Sequence, residues 1–139
     1  MTDTPADLVR QHYANVASAQ LDKDRELFAD DVLTVDPTGE MRGIDAFIAF
    51  EAAFHDAFPD GRMEVARYVE SNGTVATEGI FRGTHTGPLA GPGGTVPPTE
   101  RALALPFADF FTVRDGRVVE HHIYYDQVAF AQQLGLAQG

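Results

Sequence analysis

The sequence predicts an α+β fold, with helices gathered on one face of an antiparallel sheet. Apolar residues recur at helical spacing up to Phe58 and switch, from Met63 onward, to the alternation expected of strands. Two hairpin signals, Ser71-Asn72-Gly73 and Asp115-Gly116, then join the second half into four antiparallel strands. A sheet bent strongly around its helices leaves a pocket at its open end, the usual place for a small-molecule site.

Each element has a local reason. Thr4 before Pro5, with Asp7 three residues on, reads as an N-cap, a first-turn proline and an acidic first turn. The helix that follows puts Leu8, Val9, Tyr13 and Val16 on one face. A second short helix is expected over Asp24 to Phe28, and a strand over Val32 to Val35 ending in the turn Asp36-Pro37-Thr38-Gly39. Asp45 is the expected cap of a third helix, whose Phe47, Phe50, Phe54 and Phe58 form an aromatic core stripe ending at Pro59. Strands are expected from Met63 to Val69, Thr74 to Arg82, Leu103 to Arg114 and Val118 to Tyr125. Between the middle two, residues 83–99 hold five of the 13 glycines and four of the eight prolines, composition that opposes regular structure. That stretch reads as one loop at the pocket rim, long enough to act as a lid. Val128, Phe130 and Leu134 suggest a closing helix that stops at Gly135.

Composition narrows the chemistry. The 139 residues suit one domain, 1–139, with a core able to hold one internal cavity. No apolar run approaches the ~18 residues of a membrane span, so no membrane partner is expected. The start, Met1 to Asp7, has neither the positive region nor the apolar stretch of a secretory signal, and there is no cysteine for a disulfide framework. A cytoplasmic location is expected. A net charge of −11, with the 10 basic residues scattered, opposes nucleic acid as a partner. Thiol, serine and Schiff-base nucleophiles are poorly supported, since the chain has no cysteine, Lys23 alone among lysines, and two connecting serines, Ser18 and Ser71. Aspartate, glutamate, histidine and tyrosine remain, the inventory of proton transfer.

Four segments along the chain resemble the SnoaL-like polyketide and ester cyclases of the nuclear transport factor two-like superfold. They are Phe28-Ala29-Asp30-Asp31-Val32 with Asp36-Pro37; Phe58-Pro59-Asp60; Gly83-Thr84-His85-Thr86-Gly87 with Pro97-Pro98-Thr99; and Val113 to His121 running on to Asp126 and Gln133-Leu134-Gly135. The resemblance implies a cone of N-terminal helices on a bent sheet, ring closure by intramolecular aldol chemistry with an aspartate as acid/base, no cofactor, and a homodimer through the outer sheet face. The sequence departs from the family at Glu100, where glycine is usual, and at His122, where tryptophan is frequent. A more distant similarity, to the ketosteroid isomerases, rests on Phe28 to Asp31, Asp36-Pro37 and Asp109 two residues before Phe111. It implies one aspartate as base, a second stabilising the oxyanion, and a tyrosine near Tyr13 beside it.

Each candidate also has a plain structural reading. Asp126, which the cyclase resemblance makes the acid/base, is equally a helix N-cap. Asp36 is either a base or an Asx-turn residue. Asp109, between Phe107 and Phe110-Phe111, is awkward to bury unless protonated or hydrogen-bonded, and is otherwise exposed on the outer face. His85 either polarises a carbonyl or fastens the glycine-proline loop. His122 and Tyr124 share strand parity with Asp126, while His121 and Tyr125 face the other way; a bulge near the strand end would bring both sets to the pocket with Phe107. His12 and His55, beside charged residues in helices, are expected at the surface. No metal is expected, because His122 and Asp126 lie ~13 Å apart on an extended strand. The glycines of 87–94 lack the lysine ending of a phosphate loop.

The function expected is acid–base chemistry on a hydrophobic carbonyl-containing small molecule, cyclised or isomerised through an enolate. The rivals are a non-catalytic binding or resistance protein, and an epoxide hydrolase, which would want an arginine-aspartate pair that cannot be placed here.

Overall fold

A computed structural model describes residues 4–91 and 93–136; the readings of Met1 to Asp3 lie outside the described residues. Helix α1 (Pro5–Ala17) opens as expected: the Thr4 hydroxyl accepts from the Asp7 amide while the Asp7 carboxylate accepts from that of Thr4. Its inward face carries Leu8, Val9, His12, Tyr13 and Asn15. A 3-10 helix, Leu21–Glu26, replaces the predicted second α-helix and holds Asp24 fully buried. Strand β1 (Phe28–Asp36) begins four residues earlier than predicted and pairs with β2 (Gly39–Arg42).

Helix α2 (Ile44–Ala57) is capped by Gly43, whose φ of 101° suits glycine, and not by Asp45. The Gly43 amide donates to Val32 at 2.8 Å, which fixes the entry angle. Asp45 lies one residue inside and instead binds Arg25 at 2.6 Å. Phe47 and Phe58 of the aromatic stripe are buried, and Phe50 and Phe54 are partly buried between them.

The remaining strands are β3 (Arg62–Ser71), β4 (Thr74–Thr84), β5 (Leu89–Gly91), β6 (Gly94–Val96), β7 (Ala102–Arg114) and β8 (Arg117–Tyr125), followed by helix α3 (Gln127–Gln133). Six strands form one sheet in the order β2-β1-β8-β7-β4-β3. The four predicted antiparallel strands are extended by β1, which runs parallel to β8 with Thr34 opposite His121. Residues 83–99 are not free of regular structure: β5 and β6 pair as a small hairpin. Thr86 and Gly87 donate to the Ala57 carbonyl, and Pro88, Ala90 and Thr95 lie against the outer side of α2 at Ala49, Ala52 and Ala53. The stretch braces α2 from outside, and none of its described residues lines the cavity described below.

Two apolar clusters fill the cone. One gathers Val9, Phe28, Val32, Phe47, Val75, Phe111 and Val118; the other gathers Phe58, Leu103, Leu105 and Leu134 under α3. No helix among the described residues is long and apolar enough to cross a membrane.

The bend in the sheet has a sequence cause at Gly79. The β3–β4 register shifts between Val65 and Arg67, and a Cβ on Gly79 would lie 2.1 Å from the Glu64 carbonyl oxygen. Gly79→Ala is therefore expected to lower stability by about 1–3 kcal/mol, as overpacking against backbone does. Urea denaturation measures it, and a cost below a few tenths would mean that the two strands can part there freely.

Candidate functional site

Strand alternation decides what faces the interior. Along β7, Leu103, Leu105, Phe107, Asp109 and Phe111 point inward, while Phe110 points out and is exposed. Along β8 a register shift opposite Thr112 and Val113 inserts one extra residue after Val118. Pairing is regular beyond it, from Glu120 to Tyr125, so His121, Ile123 and Tyr125 face inward and His122 and Tyr124 outward. The expected bulge exists, but at the start of the strand, and it selects one set instead of merging the two.

The inward face closes with α1 and α2 around a cavity of about 120 Å³. Its wall is mostly apolar, with Phe47, Phe50, Phe54 and Phe107 prominent, and its polar residues are His12, Glu51, His55, Asp109, His121 and Tyr125. Asp109 is 2% exposed. Its Oδ2 accepts a hydrogen bond from the Tyr13 hydroxyl at 2.5 Å. That hydroxyl has one hydrogen, so the 2.7 Å contact with Thr77 Oγ1 is a bond donated by the threonine. Burial and the Asp109 charge raise the Tyr13 pKa far above the ordinary phenol range, so it stays a donor. Asp109 Oδ1 has no hydrogen-bond partner and lies 3.7 Å from His121 Nε2.

His121 stacks on Phe111 with ring centroids 4.1 Å apart, is 2% exposed, and has neither nitrogen hydrogen-bonded. Burial pushes its pKa below the usual 6.5, although Asp109 pulls the other way. The ring is thus a neutral imidazole at pH 7. Below about pH 6.5 the unfolded chain binds a proton that the folded chain refuses, so this residue's share of stability is complete above that pH and is lost as the pH falls. His121→Phe, which keeps the stack, is expected to flatten the loss of stability between pH 7 and pH 5, by up to about 1.4 kcal/mol per pH unit. Denaturation curves across that range would contradict this if wild type and variant kept the same slope.

The second polar group was not legible as one. His12, expected at the surface, is 3% exposed, and its Nδ1 lies 2.9 Å from Asp24 Oδ2. Asn15 donates to Asp24 Oδ1 at 3.0 Å and receives Gln11 at 2.9 Å. Glu51 completes a trio whose facing atoms lie within 4.8 Å of one another. Burial, then the charge of Asp24, pushes the Glu51 carboxyl up to about 10. Burial works against the Asp24 charge most strongly, yet His12 and the hydrogen bonds around it hold its pKa below the usual value. Both Asp24 oxygens are engaged by nitrogen-bearing neighbours, the pattern of a hydrogen-bonded network. His12 sits on the same helical face as Val9, Tyr13 and Val16, and Glu51 on the face of Phe47, Phe54 and Phe58, so spacing alone could have placed both inside. His55, by contrast, is exposed as expected.

The other candidates fall elsewhere. Asp126 is exposed and caps α3, its Oδ1 accepting from the amides of Val128 and Ala129 at 2.9 and 3.1 Å. It does not line the cavity, and Oδ1 serves as the cap of α3. Asp36 makes an Asx turn through Oδ1, which accepts from the amide and hydroxyl of Thr38; its Oδ2 is buried without a partner. Burial, with the Asp36 charge second, pushes Tyr125 up to about 12. His85 is fully buried outside the cavity, on the Phe58 ring, and its Nδ1 accepts from the Thr99 amide at 3.2 Å. It fastens the end of β4 to the start of β7. His122 pairs with Glu120 at 2.6 Å and stacks near Tyr124 on the outer face, away from the cavity.

Comparison with known proteins agrees with the fold. The SnoaL-like polyketide cyclase family matches residues 7–134. IdmH from Streptomyces antibioticus, a proposed polyketide cyclase, superposes with a TM-score of 0.80 at 31% identity, over 96% of this chain and 99% of that one. A proposed SnoaL-like polyketide cyclase from Jannaschia sp. CCS1 gives 0.85 at 22% identity, over 96% and 93%. A Catenulispora acidiphila protein with a ketosteroid isomerase-like fold, solved with trimethylamine, gives 0.77 at 20% identity, over 97% and 96%. No curated protein matches the chain.

Proposed function

The chain belongs to the SnoaL-like polyketide cyclase family, and from that premise we propose that it enolises a hydrophobic carbonyl compound, to cyclise or isomerise it, with its own side chains as acid and base. One observation carries the reading: in an apolar cavity, Asp109 has one oxygen held by Tyr13 and the other free, 3.7 Å from a neutral imidazole. In this reading Oδ1 takes the proton alpha to the carbonyl. His121 donates an N–H to the carbonyl oxygen, where negative charge develops, and Tyr13 keeps the carboxylate in place. A neutral imidazole suits the donor role, because it stabilises the enolate without first surrendering a proton to Asp109. Phe107 and Tyr125 shape the walls.

His121→Phe separates the roles. It preserves the stack on Phe111 and removes the donor, so alpha-proton exchange in a bound ketone should slow by about 10²–10³-fold, the cost of one oxyanion donor. Exchange at the wild-type rate would exclude His121 from the chemistry. The exposed Phe110 and Tyr124, edge to face at 5.9 Å on the outer sheet face, support a homodimer through that face.

A further inference from the structure

Enolisation at Asp109 and His121 leaves a third buried polar group on the cavity wall without a task. The Glu51 side chain is 8% exposed, lines the cavity among Phe47, Phe50 and Phe54, and its Oε1 has no hydrogen-bond partner. A buried carboxyl oxygen without a partner is costly, and in an apolar wall it needs something from inside the cavity to satisfy it. Its neighbours define what it lacks. Asp24, fully buried, is held by His12 and Asn15 and lies against Glu51. Two carboxyls side by side in a core share a proton, and with Asp24 already charged the proton stays on Glu51, directed at Asp24. Glu51 is then a neutral acid on the cavity wall, with one carboxyl oxygen donating to Asp24 and the other an acceptor unable to donate.

We propose that Glu51 is a ligand subsite, the carboxyl oxygen that does not face Asp24 accepting a hydrogen bond from a hydroxyl group of the bound carbonyl compound, so that the substrate class is a hydroxylated ketone. The inference rests on the proposed carbonyl site and adds a second anchor to it. A ligand held at both ends presents its alpha carbon to Asp109 in one orientation, which a wall of phenylalanines alone does not enforce.

The test compares acetophenone with 3- and 4-hydroxyacetophenone, titrated against wild type, Glu51→Gln and Glu51→Leu and read by calorimetry or ligand-observed NMR. Glu51→Gln keeps an acceptor toward the cavity and a donor toward Asp24. Wild type is expected to bind one hydroxylated ketone about tenfold or more tighter than acetophenone. Glu51→Gln should retain that preference, and Glu51→Leu should lose it while still binding acetophenone. Equal binding of all three ketones by wild type, or a preference that survives in Glu51→Leu, overturns the subsite and leaves the carbonyl site standing. Failure of wild type to bind any of the three removes the carbonyl site, and the subsite with it.

Discussion

Asp109→Asn is expected to fold like the wild type and to lose alpha-proton exchange by about 10²–10⁴-fold, the usual worth of a positioned base. Asparagine has the same size and can still accept from Tyr13, so the cavity wall keeps its shape, but an amide cannot take a proton. The contrast with the other aspartates gives this prediction its force. Asp126→Asn should cost about 1 kcal/mol or less of stability, because asparagine also caps helices, and should leave exchange within a few-fold of wild type. Asp36→Asn disturbs an Asx turn and should also leave exchange near the wild-type rate. Exchange that survived in Asp109→Asn and vanished in Asp36→Asn would move the base to the strand end beside Tyr125. A matching loss in Asp126→Asn would require α3 to leave its cap during turnover.

The second large effect concerns stability. Asp24→Ala is expected to cost about 1–3 kcal/mol for each buried polar partner that it leaves unsatisfied. Asp24 is 0% exposed and binds His12 and Asn15 from α1 while facing Glu51 from α2, so it joins the 3-10 helix to both helices. Its loss leaves three polar side chains without their partner. Urea denaturation at pH 7 provides the measurement. A cost under about 1 kcal/mol would show that water enters and satisfies the trio. The cycle of Asp24→Asn with His12→Gln isolates the pair, with a coupling of about 0.5–3 kcal/mol expected for residues in one network.

The sequence made the elements legible wherever one physical signal dominated. The Thr4–Asp7 capping pair, the Asn72-Gly73 and Asp115-Gly116 turns and the alternation of β7 each act within a few residues, and the structure has them. The parallel pairing of β1 with β8 was not legible, because it joins segments about ninety residues apart and no local pattern specifies it. Asp45 carries the stronger side-chain capping signal, but the backbone at the helix start has a positive φ, which Gly43 adopts. The glycines and prolines of residues 83–99 predict a lid or rim, yet the segment is tied to the Ala57 carbonyl and lies behind α2.

The site divides the same way. Asp109 and Tyr13 meet because a strand of period two and a helix of period 3.6 each turn one face to the same cavity. Which face of β8 joins them depended on the extra residue after Val118, a shift that no residue type announces. Asp126 carried the family resemblance, but its side chain is spent on α3. The trio of His12, Asp24 and Glu51 escaped because charged neighbours in sequence suggested solvent, whereas helical spacing placed two of the three inside.

The central claim, that this cavity enolises a ketone, is tested most directly with the wild-type protein alone. Acetophenone and its hydroxylated relatives are incubated with the protein in D₂O, and the methyl proton signal is followed by NMR against a control with free acetate at the same carboxylate concentration. The account predicts loss of the methyl signal far faster than in the control, saturating with ketone. Saturable binding with exchange no faster than the acetate control would contradict it and make the cavity a carrier's.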